Sequence, residues 1–216
     1  MEDKSPKIRF QEYQDSWKPK TLNELGLWSK GQPLSKSDII DDGEHPCIHY
    51  GELFSYNEII NKVISTTNSE PIVTSKGNEL LFPDSDVTPD GLGRCSSITI
   101  PNVILGGGIN ILQLHNDYSA PYCALNVVKN KKQIIDRVTG STVRHIHSRD
   151  LSEVEINVST SYIEQQKIGE FFQQLDELIC AKEQEIEKLK QIKAALLDKM
   201  FPSEDADTSN RGGVTR

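Results

Sequence analysis

The chain has 216 residues, of which 36% are apolar and 26% charged, and its formal net charge is −8. That length suits one substantial domain with an appendage, while no apolar run approaches the roughly 18 residues of a membrane span. The charged opening MEDKSPKIRF precedes no apolar segment of a secretion signal. We therefore expect a cytoplasmic protein, and the acidic balance excludes a general attraction to phosphate backbones.

Residues 1–158 are predicted to form a mixed α/β domain. Gly, Pro, Asn and Asp interrupt this region every few residues, and short β-rich runs lie between the interruptions. The predicted strands are PIVTS, ELLF, SSITI and VEINV, and the predicted helices are TLNELGLW and SYNEIINKVIS. Four cysteines lie scattered among these segments without a CxxC pair, which indicates buried thiols and no disulfide framework.

Residues 159–202 are predicted to form one long helix, with Ser161 and Glu164 at the spacing of a capping box. Eight of the ten core positions of a heptad pattern are apolar, and Lys182 and Lys193 fill the other two. A 3.5-residue period held over about 50 Å indicates a coiled coil with another helix. The fold class is therefore α+β, and residues 203–216 are predicted to be a disordered tail. The predicted dimerisation residues are Ile168, Phe172, Leu175, Ile179, Ile186, Leu189, Leu196 and Met200.

The sequence carries no recognisable catalytic or metal signature. His45 and His49 lie near Cys47, and His145 and His147 form a second pair. Each group supplies two or three candidate metal ligands, and no acidic or cysteine cluster nearby in sequence completes the tetrahedral set that zinc needs. Ordinary strand histidines are therefore favoured over a metal site. The glycine-rich stretches match neither GxGxxG nor GxxxxGK[ST]. We expect no catalysis, metal or cofactor in this chain.

A basic segment lies between residues 126 and 149. Six basic side chains occur there against one acid, Asp136. This local reversal of charge predicts a nucleic-acid contact in an otherwise acidic protein. The basic residues are Lys129, Lys131, Lys132, Arg137, Arg144 and Arg149.

Six motifs in a fixed order give the sequence a resemblance to a known family. They are PKIRF with the following W and KTLNELG, PCIHYGELFSYNEII, VILGGGINIL, GSTVRHIHSRDLSEVEI, EQQKIGEFFQQLDELI and LKQIKAALLDKMFP. From Pro6 to Pro202, the chain resembles the specificity (S) subunit of type I restriction-modification systems. Where that family often leads into the helix with prolines, this chain has NVSTSYIEQ, and Ser161 is the expected N-cap.

The resemblance implies a role for each part. Residues 1–158 become a non-catalytic target-recognition domain that reads one half of a bipartite double-stranded DNA sequence, and the helix becomes the conserved spacer. A full S subunit has two recognition domains and two spacer helices, whereas this chain has one domain and one helix. The implied partners are a second copy or another half-subunit, modification subunits that carry S-adenosylmethionine, and restriction subunits that act in phage defence. The alternative is a coiled-coil adaptor whose head binds protein.

The resemblance also divides the candidate DNA-binding residues into two sets. The family-wide motif near Gly140 is expected to contact the DNA backbone or to dock the domain onto the helix, because residues that read bases must vary with the target. Its candidates are Ser141, Thr142, Arg144 and His145, with Lys132 nearby. The candidate base readers, on less patterned loops, are Lys30, Gln32, Lys36, Arg94, Asn110, Lys129 and Lys131.

Overall fold

The computed structural model describes residues 6–201, so the tail predicted at 203–216 lies outside the described residues. The chain separates into two compact units between Phe171 and Phe172. The first unit holds every sheet and the beginning of the long helix, and the described part of the second consists almost entirely of the rest of that helix. A mixed α/β domain followed by one long C-terminal helix confirms the predicted fold class.

The elements are short except for the last helix. The strands are β1 Lys18–Thr21, β2 Gly26–Lys30, β3 Ile39–Ile40, β4 His45–Ile48, β5 Ile59–Ile60, β6 Thr66–Thr67, β7 Glu79–Pro83, β8 Ser85–Asp86, β9 Ser96–Ile98, β10 Ile104–Leu105, β11 Ile109–Leu114, β12 Arg144–His145 and β13 Glu155–Val158. The helices are α1 Leu22–Leu25, α2 Pro89–Leu92, α3 Ala120–Lys129, α4 Lys132–Ile135, α5 Ser148–Leu151 and α6 Tyr162–Met200, and two 3₁₀ turns lie at Lys36–Asp38 and Tyr50–Phe54.

A five-stranded sheet in the order β2-β11-β7-β9-β5 forms the centre of the first unit. Its pairs are antiparallel except that of β5 with β9. Because alternate residues of a strand face opposite sides, β7 sends Leu80 and Phe82 into one apolar cluster and Leu81 into another. The sheet is thus buried on both faces, which explains the nearly continuous apolar runs of β7 and β11.

Helix α3 covers one face of this sheet. Ser119 precedes it, and a proline at its first turn suits a helix start because proline needs no N–H partner there. Tyr122, Cys123 and Val127 turn inward and pack in the same cluster as Leu80 and Phe82. Burial alone raises the pKa of the Cys123 thiol well above its ordinary value, so it stays protonated and unreactive at neutral pH.

Smaller sheets surround the central one. One has four strands in the order β10-β4-β6-β3, and β1 pairs antiparallel with β13 so that Lys18 lies opposite Val158. The start and the end of the sheet-bearing region are therefore neighbours. A further pair, β8 with β12, lies beyond the end of β7 and is described with the candidate site.

Helix α6 begins as the sequence predicts. The Ser161 hydroxyl accepts from the Glu164 backbone N–H at 3.3 Å, so Ser161 is the N-cap. The second half of the capping box is absent from this cap: the Ser161 N–H donates to Ser159 Oγ at 3.1 Å. The Glu164 carboxylate has other partners, described below.

Three local predictions are wrong. SYNEIINKVIS is not a helix, because Ile59 and Ile60 pair with β9 as an edge strand. TLNELGLW forms only the single turn α1 before β2 begins at Gly26, and PIVTS contributes only an isolated bridge at Thr74. In these segments tertiary pairing overrides the local pattern. Cys180 on α6 is exposed, so the prediction of a buried thiol is wrong for this cysteine, whereas Cys47, Cys95 and Cys123 are buried.

Candidate nucleic-acid interface

Four segments distant in sequence meet around Asp84, where β2 and β7 end and β11 begins. Lys30 Nζ lies 3.1 Å from the Asp84 carboxylate. The backbone N–H of Asp84 donates to Gly108 O at 2.9 Å, and the Ile146 N–H donates to Asp84 O at 3.0 Å. The fold thus brings the candidate reader Lys30 and the family-wide motif, through Ile146, to one corner of the domain.

Strands β8 and β12 form a small ribbon next to this corner. Arg144 lies opposite Asp86 and His145 opposite Ser85. On its other side His145 exchanges two backbone hydrogen bonds with Thr139, of 2.8 and 3.0 Å. We call residues 85–88 together with 139–145 the ribbon.

A tight turn forms the tip of the ribbon. Gly140 has φ +100°, and a Cβ there would lie 2.3 Å from Val143 O, so the turn requires glycine. Arg144 closes the turn by donating to Gly140 O at 3.0 Å. Ser141 and Thr142 are exposed at the tip, where their hydroxyls can reach an outside partner. Arg144 itself is half-buried and His145 is exposed.

The remainder of the motif after residue 145 is structural. Ile146, Leu151, Val154 and Ile156 are all buried in the main cluster. The motif therefore has an exposed tip and a buried continuation. The tip suits the predicted contact with the DNA backbone, and the buried part suits the predicted packing within the protein.

Two side chains that were predicted to read bases lie inside the domain and not at its surface. Asn110 is 0% exposed, and its amide donates to Ile146 O at 3.2 Å. Gln32 is 5% exposed, and its amide oxygen accepts from the backbone N–H groups of Ile72 and Val73 at 2.8 and 2.7 Å. Both polar side chains stabilise neighbouring loops because buried backbone groups need partners, and neither is presented to DNA.

Arg94 is also engaged within the domain. Its guanidinium donates to the carbonyls of Leu53 and Tyr56, each at 3.3 Å. It lines a cavity of about 150 Å³ together with Lys131. Arg94 therefore joins the 3₁₀ turn after β4 to the residues just before β9, and its contact with bases stays a prediction.

The folded chain neutralises part of the basic segment. Acids lie near three of its basic groups. Asp90 of α2 is 3.0 Å from Lys131, Glu153 is 4.0 Å from Arg137, and Asp150, the next residue along α5, is 3.7 Å from Arg149. Lys129 and Lys132 are exposed, and neither side chain has an ion pair with another described residue. The count of six bases against one acid thus overstated the local positive charge.

A cleft of about 460 Å³ opens beside the ribbon. The rings of His49 and Tyr50 lie 4.8 Å apart at its edge, and Lys36 is exposed on the neighbouring 3₁₀ turn. From sequence His49 was considered only as a weak candidate metal ligand, and no pattern predicted that its ring would lie beside that of Tyr50. The lining residues are Pro33, Leu34, Ser35, Asp38, His49, Tyr50, Ser85, Gly107 and Gly108.

A buried ion pair fixes the first turns of α6 to the rest of the first unit. Arg9 donates to both Glu164 carboxylate oxygens, at 2.6 and 2.9 Å, and Ser159 Oγ also donates to this carboxylate. Burial alone would raise the pKa of Glu164, but the hydrogen bonds from Arg9 and Ser159 outweigh it and lower the pKa. The carboxylate is therefore charged at neutral pH although it is 0% exposed.

Gln165 strengthens the same joint. Its amide oxygen accepts from the Ser119 N–H at 2.9 Å, and its amide nitrogen donates to Ser159 O at 2.9 Å and Asp117 O at 3.2 Å. One turn further on, a Cβ on Gly169 would lie 3.0 Å from Pro121 Cβ, so α6 approaches α3 closely there. These residues of EQQKIG form the joint between α6 and the domain.

The predicted dimerisation residues fall into two groups. Ile168 is half-buried and packs against the main apolar cluster of its own domain, so it belongs to the joint instead. The other seven are between 37% and 72% exposed: Phe172, Leu175, Ile179, Ile186, Leu189, Leu196 and Met200. Leu178, Ile192 and Leu197 are also exposed and broaden the apolar stripe.

The described residues hold no group of three or more His, Cys, Asp or Glu side chains arranged to bind a metal ion. None of the helices within residues 6–201 combines the length and the apolar character needed to cross a membrane.

A sequence model of the type I restriction modification DNA specificity domain matches residues 14–191. The chain belongs to this family. Its family role is therefore DNA recognition within type I restriction-modification, and specificity domains of this kind are generally non-catalytic. No curated protein sequence was found to match the chain.

Solved S-subunit structures share this fold. The S subunit from M. genitalium superimposes with a TM-score of 0.63 at 19% identity, over 94% of this chain and 50% of its own length. The HsdS subunit from Thermoanaerobacter tengcongensis gives 0.54 at 16% identity, over 92% and 47%. A chain from a structure on the assembly and conformational transition of the type I R-M system gives 0.59 at 16% identity, over 88% and 48%. This specificity-domain chain thus spans about half the length of each.

Proposed function

We propose that the chain reads one half of a bipartite DNA target as a specificity component. The observation that carries the proposal is that the chain has one mixed α/β domain and one long helix, which together span about half of each S subunit compared. A bipartite target needs a second domain, and the exposed stripe of α6 is where that second domain would be joined to the first.

The DNA-facing surface in this proposal is the ribbon, the Asp84 corner and the cleft of His49 and Tyr50. Exposed Lys30, Lys36 and His145 supply polar groups there, and Ser141 and Thr142 supply hydroxyls at the ribbon tip. Lys129 and Lys132 lie on the neighbouring helices and would contact phosphates, which position a protein without reading sequence.

The partner helix in this proposal is α6 of a second copy. The stripe from Leu175 to Met200 exposes apolar side chains that a paired helix would bury, and Lys182 and Lys193 interrupt it at positions where polar residues commonly fix register. A two-fold dimer presents two identical domains, so the expected target is an interrupted palindrome. Pairing with a different half-subunit would give an asymmetric target instead.

The chain would act by bringing catalytic subunits to its target. Modification subunits carrying S-adenosylmethionine would methylate adenine there, and restriction subunits would associate with the same complex. These partners would also supply the positive charge that grips the DNA backbone, since this chain is acidic overall.

The first test is the molar mass in solution, measured by light scattering. The wild-type chain is expected near twice 24.3 kDa. A variant with Leu175, Ile179, Ile186 and Leu189 changed to glutamine is expected near 24.3 kDa, because polar side chains remove the apolar seam.

A matched control carries alanine at four exposed polar positions on the opposite side of α6 and is expected to remain a dimer. A monomeric wild type would contradict the homodimer and favour a different half-subunit as partner. Selective DNA binding that appears only with modification subunits would separate DNA reading from the protein-binding adaptor. The control positions are Glu177, Gln184, Gln191 and Asp198.

A further inference from the structure

Lys30 and Asp84 form an ion pair at the surface of the first unit. Lys30 Nζ lies 3.1 Å from Asp84 Oδ2, and the two side chains are 47% and 25% exposed. An ion pair this open to water contributes little to stability, because water screens the attraction and two side chains lose freedom. The fold therefore gains little from the pair, which leaves its polar groups for an outside partner.

The backbone holds both residues in place. Asp84 directly follows β7, and its N–H donates to Gly108 O at 2.9 Å while its carbonyl accepts from the Ile146 N–H at 3.0 Å. Lys30 is the last residue of β2 and lies opposite Asn110 of β11. Backbone pairing thus fixes where the two side chains begin, which is the pre-organisation that a recognition site needs.

Each side chain keeps hydrogen-bonding groups that the ion pair does not use. The lysine ammonium has three donors, and among the described residues only Asp84 Oδ2 accepts from it. Asp84 Oδ1 has no hydrogen-bond partner among the described residues, and it is not one of the buried side-chain atoms, so it reaches solvent. The pair therefore offers donors and an acceptor side by side.

A G·C base pair presents the complementary groups in the major groove. Guanine offers the acceptors O6 and N7, and cytosine offers the donor N4. Lysine commonly donates to the first two, and aspartate accepts from the third. A phosphate offers acceptors alone, and the Asp84 carboxylate would repel its negative charge. The ion pair therefore suits a G·C pair better than a phosphate.

The positions of the two residues in the sequence also suit base reading. Residues that read bases must vary with the target, and neither Lys30 nor Asp84 lies in any of the six ordered motifs. Two motif residues do contact Asp84, but Gly108 and Ile146 contribute only backbone atoms to it. Recurring motifs thus hold a site whose side chains are free to differ.

We propose that Lys30 and Asp84 together read one G·C base pair from the major groove, with Lys30 donating to guanine and Asp84 accepting from cytosine. Both are then specificity-determining residues. The inference rests on the proposed function and adds an acidic reader to it. The lysine also offsets the charge of the carboxylate, which lets an acid approach DNA.

The test uses the full chain assembled with its modification subunits. The wild-type complex first selects its target from a randomised duplex library. At each selected G·C pair, guanine is then replaced by 7-deazaguanine, which lacks the N7 acceptor, or by hypoxanthine, which keeps O6 and N7. We expect 7-deazaguanine at one position of each half-site to weaken wild-type binding about tenfold, and hypoxanthine there to have little effect.

Substitutions assign that response to the ion pair. Lys30→Ala should bind guanine and 7-deazaguanine equally at the responsive position, whereas Lys30→Arg should still discriminate, because arginine also donates to O6 and N7. In a repeated selection, Asp84→Ala should accept other base pairs there. The control Lys20→Ala breaks another exposed pair, with Glu24, and should keep the wild-type preference. Thermal unfolding checks that each variant is folded.

Salt dependence separates base reading from a phosphate contact. Lys30→Ala should leave the slope of log affinity against log salt nearly unchanged, because the guanine acceptors carry no net charge. A slope lowered by about 0.9, with base preference unchanged, would show a phosphate contact and overturn the inference.

The remaining outcomes separate this inference from the proposed function. The inference alone is overturned if the selected target has no G·C pair, if wild type ignores 7-deazaguanine at every position, or if Lys30→Ala still responds to it. Loss of the modification subunits by the alanine variants, with base preference unchanged, would make the pair a protein contact and also overturn it. Selection of no sequence by the wild-type complex would overturn both proposals.

Discussion

At the scale of single residues, Glu164 shows how a charge can be buried in this domain. Taking a carboxylate out of water is costly, but two hydrogen bonds from Arg9 and one from Ser159 stabilise the charged form. The partners come from the N-terminal segment and from the residues just before α6. The pair therefore ties three separate parts of the first unit together.

Replacing Glu164 with glutamine should destabilise the domain by about 3 kcal/mol, because a buried carboxylate would lose its charge and its ion pair with Arg9. Urea unfolding followed by circular dichroism measures the change. The control Glu185→Gln removes one partner of an exposed pair with Lys182 and should change stability by no more than about 0.5 kcal/mol. Equal changes in the free energy of unfolding would show that the buried pair stabilises the domain no more than the exposed pair does.

The same residue predicts a dependence on pH. The hydrogen bonds from Arg9 and Ser159 lower the pKa of Glu164 in the folded chain below its ordinary value of 4.5. Its stabilising effect is therefore complete above about pH 4.5 and is lost as the pH falls through the folded-state pKa. The stability difference between wild type and Glu164→Gln should accordingly shrink on acidification, and urea unfolding at several pH values measures it.

Residue-level roles were the hardest to predict from sequence. Asn110, Gln32 and Arg94 are polar residues on irregular stretches, so they resembled surface readers. Each instead satisfies carbonyl or amide groups inside the domain. Burial depends on tertiary contacts, and a local pattern of polarity does not contain them.

At the scale of elements, long segments with a regular apolar period were predicted from sequence, whereas very short segments were not. The helix α6 was predicted nearly to its ends, because a heptad pattern held over nearly five repeats and an N-cap identify it. Strands β7, β9 and β13 also match predicted runs. Strands β8 and β12 have two residues each, too few to show any period, so the ribbon could be found only from the structure.

The ribbon turn gives an element-scale prediction. Gly140→Ala should open the turn, because a Cβ would meet Val143 O at 2.3 Å and φ is +100°. Hydrogen exchange should become faster at the His145 amide, which donates to Thr139 O, while amides of β11 stay protected. The control Gly107→Ala should change little, since its nearest contact would be an ordinary 3.4 Å. Unchanged exchange at His145 would contradict a turn that requires glycine.

At the scale of the whole molecule, charge limits what the chain can do alone. The net charge is −8, and acids neutralise half of the basic segment in the folded domain. Sequence counting could not show this, since Asp90 and Glu153 lie outside the counted segment. The family, by contrast, was predictable from motif order alone, and the match over residues 14–191 confirms it.

The isolated chain should therefore bind duplex DNA more weakly than about 10⁻⁴ M at physiological salt, and modification subunits should strengthen binding. Within that complex, Lys132→Gln should lower the slope of log affinity against log salt by about 0.9, the value for one phosphate contact. Fluorescence anisotropy over a salt series measures both quantities. Lys20→Gln, which removes a lysine paired with Glu24, should leave the slope unchanged. Tight binding by the isolated chain would contradict this account.

The pairing of β1 with β13 affects how the region between these strands could be exchanged during evolution. Because Lys18 lies opposite Val158, both junctions of the intervening region meet at one place on its surface. A segment whose ends adjoin can be exchanged for another of different length without moving what is attached to it. Under the proposed function, recombination at these two strands would replace the recognition region in one step while helix α6 is inherited unchanged.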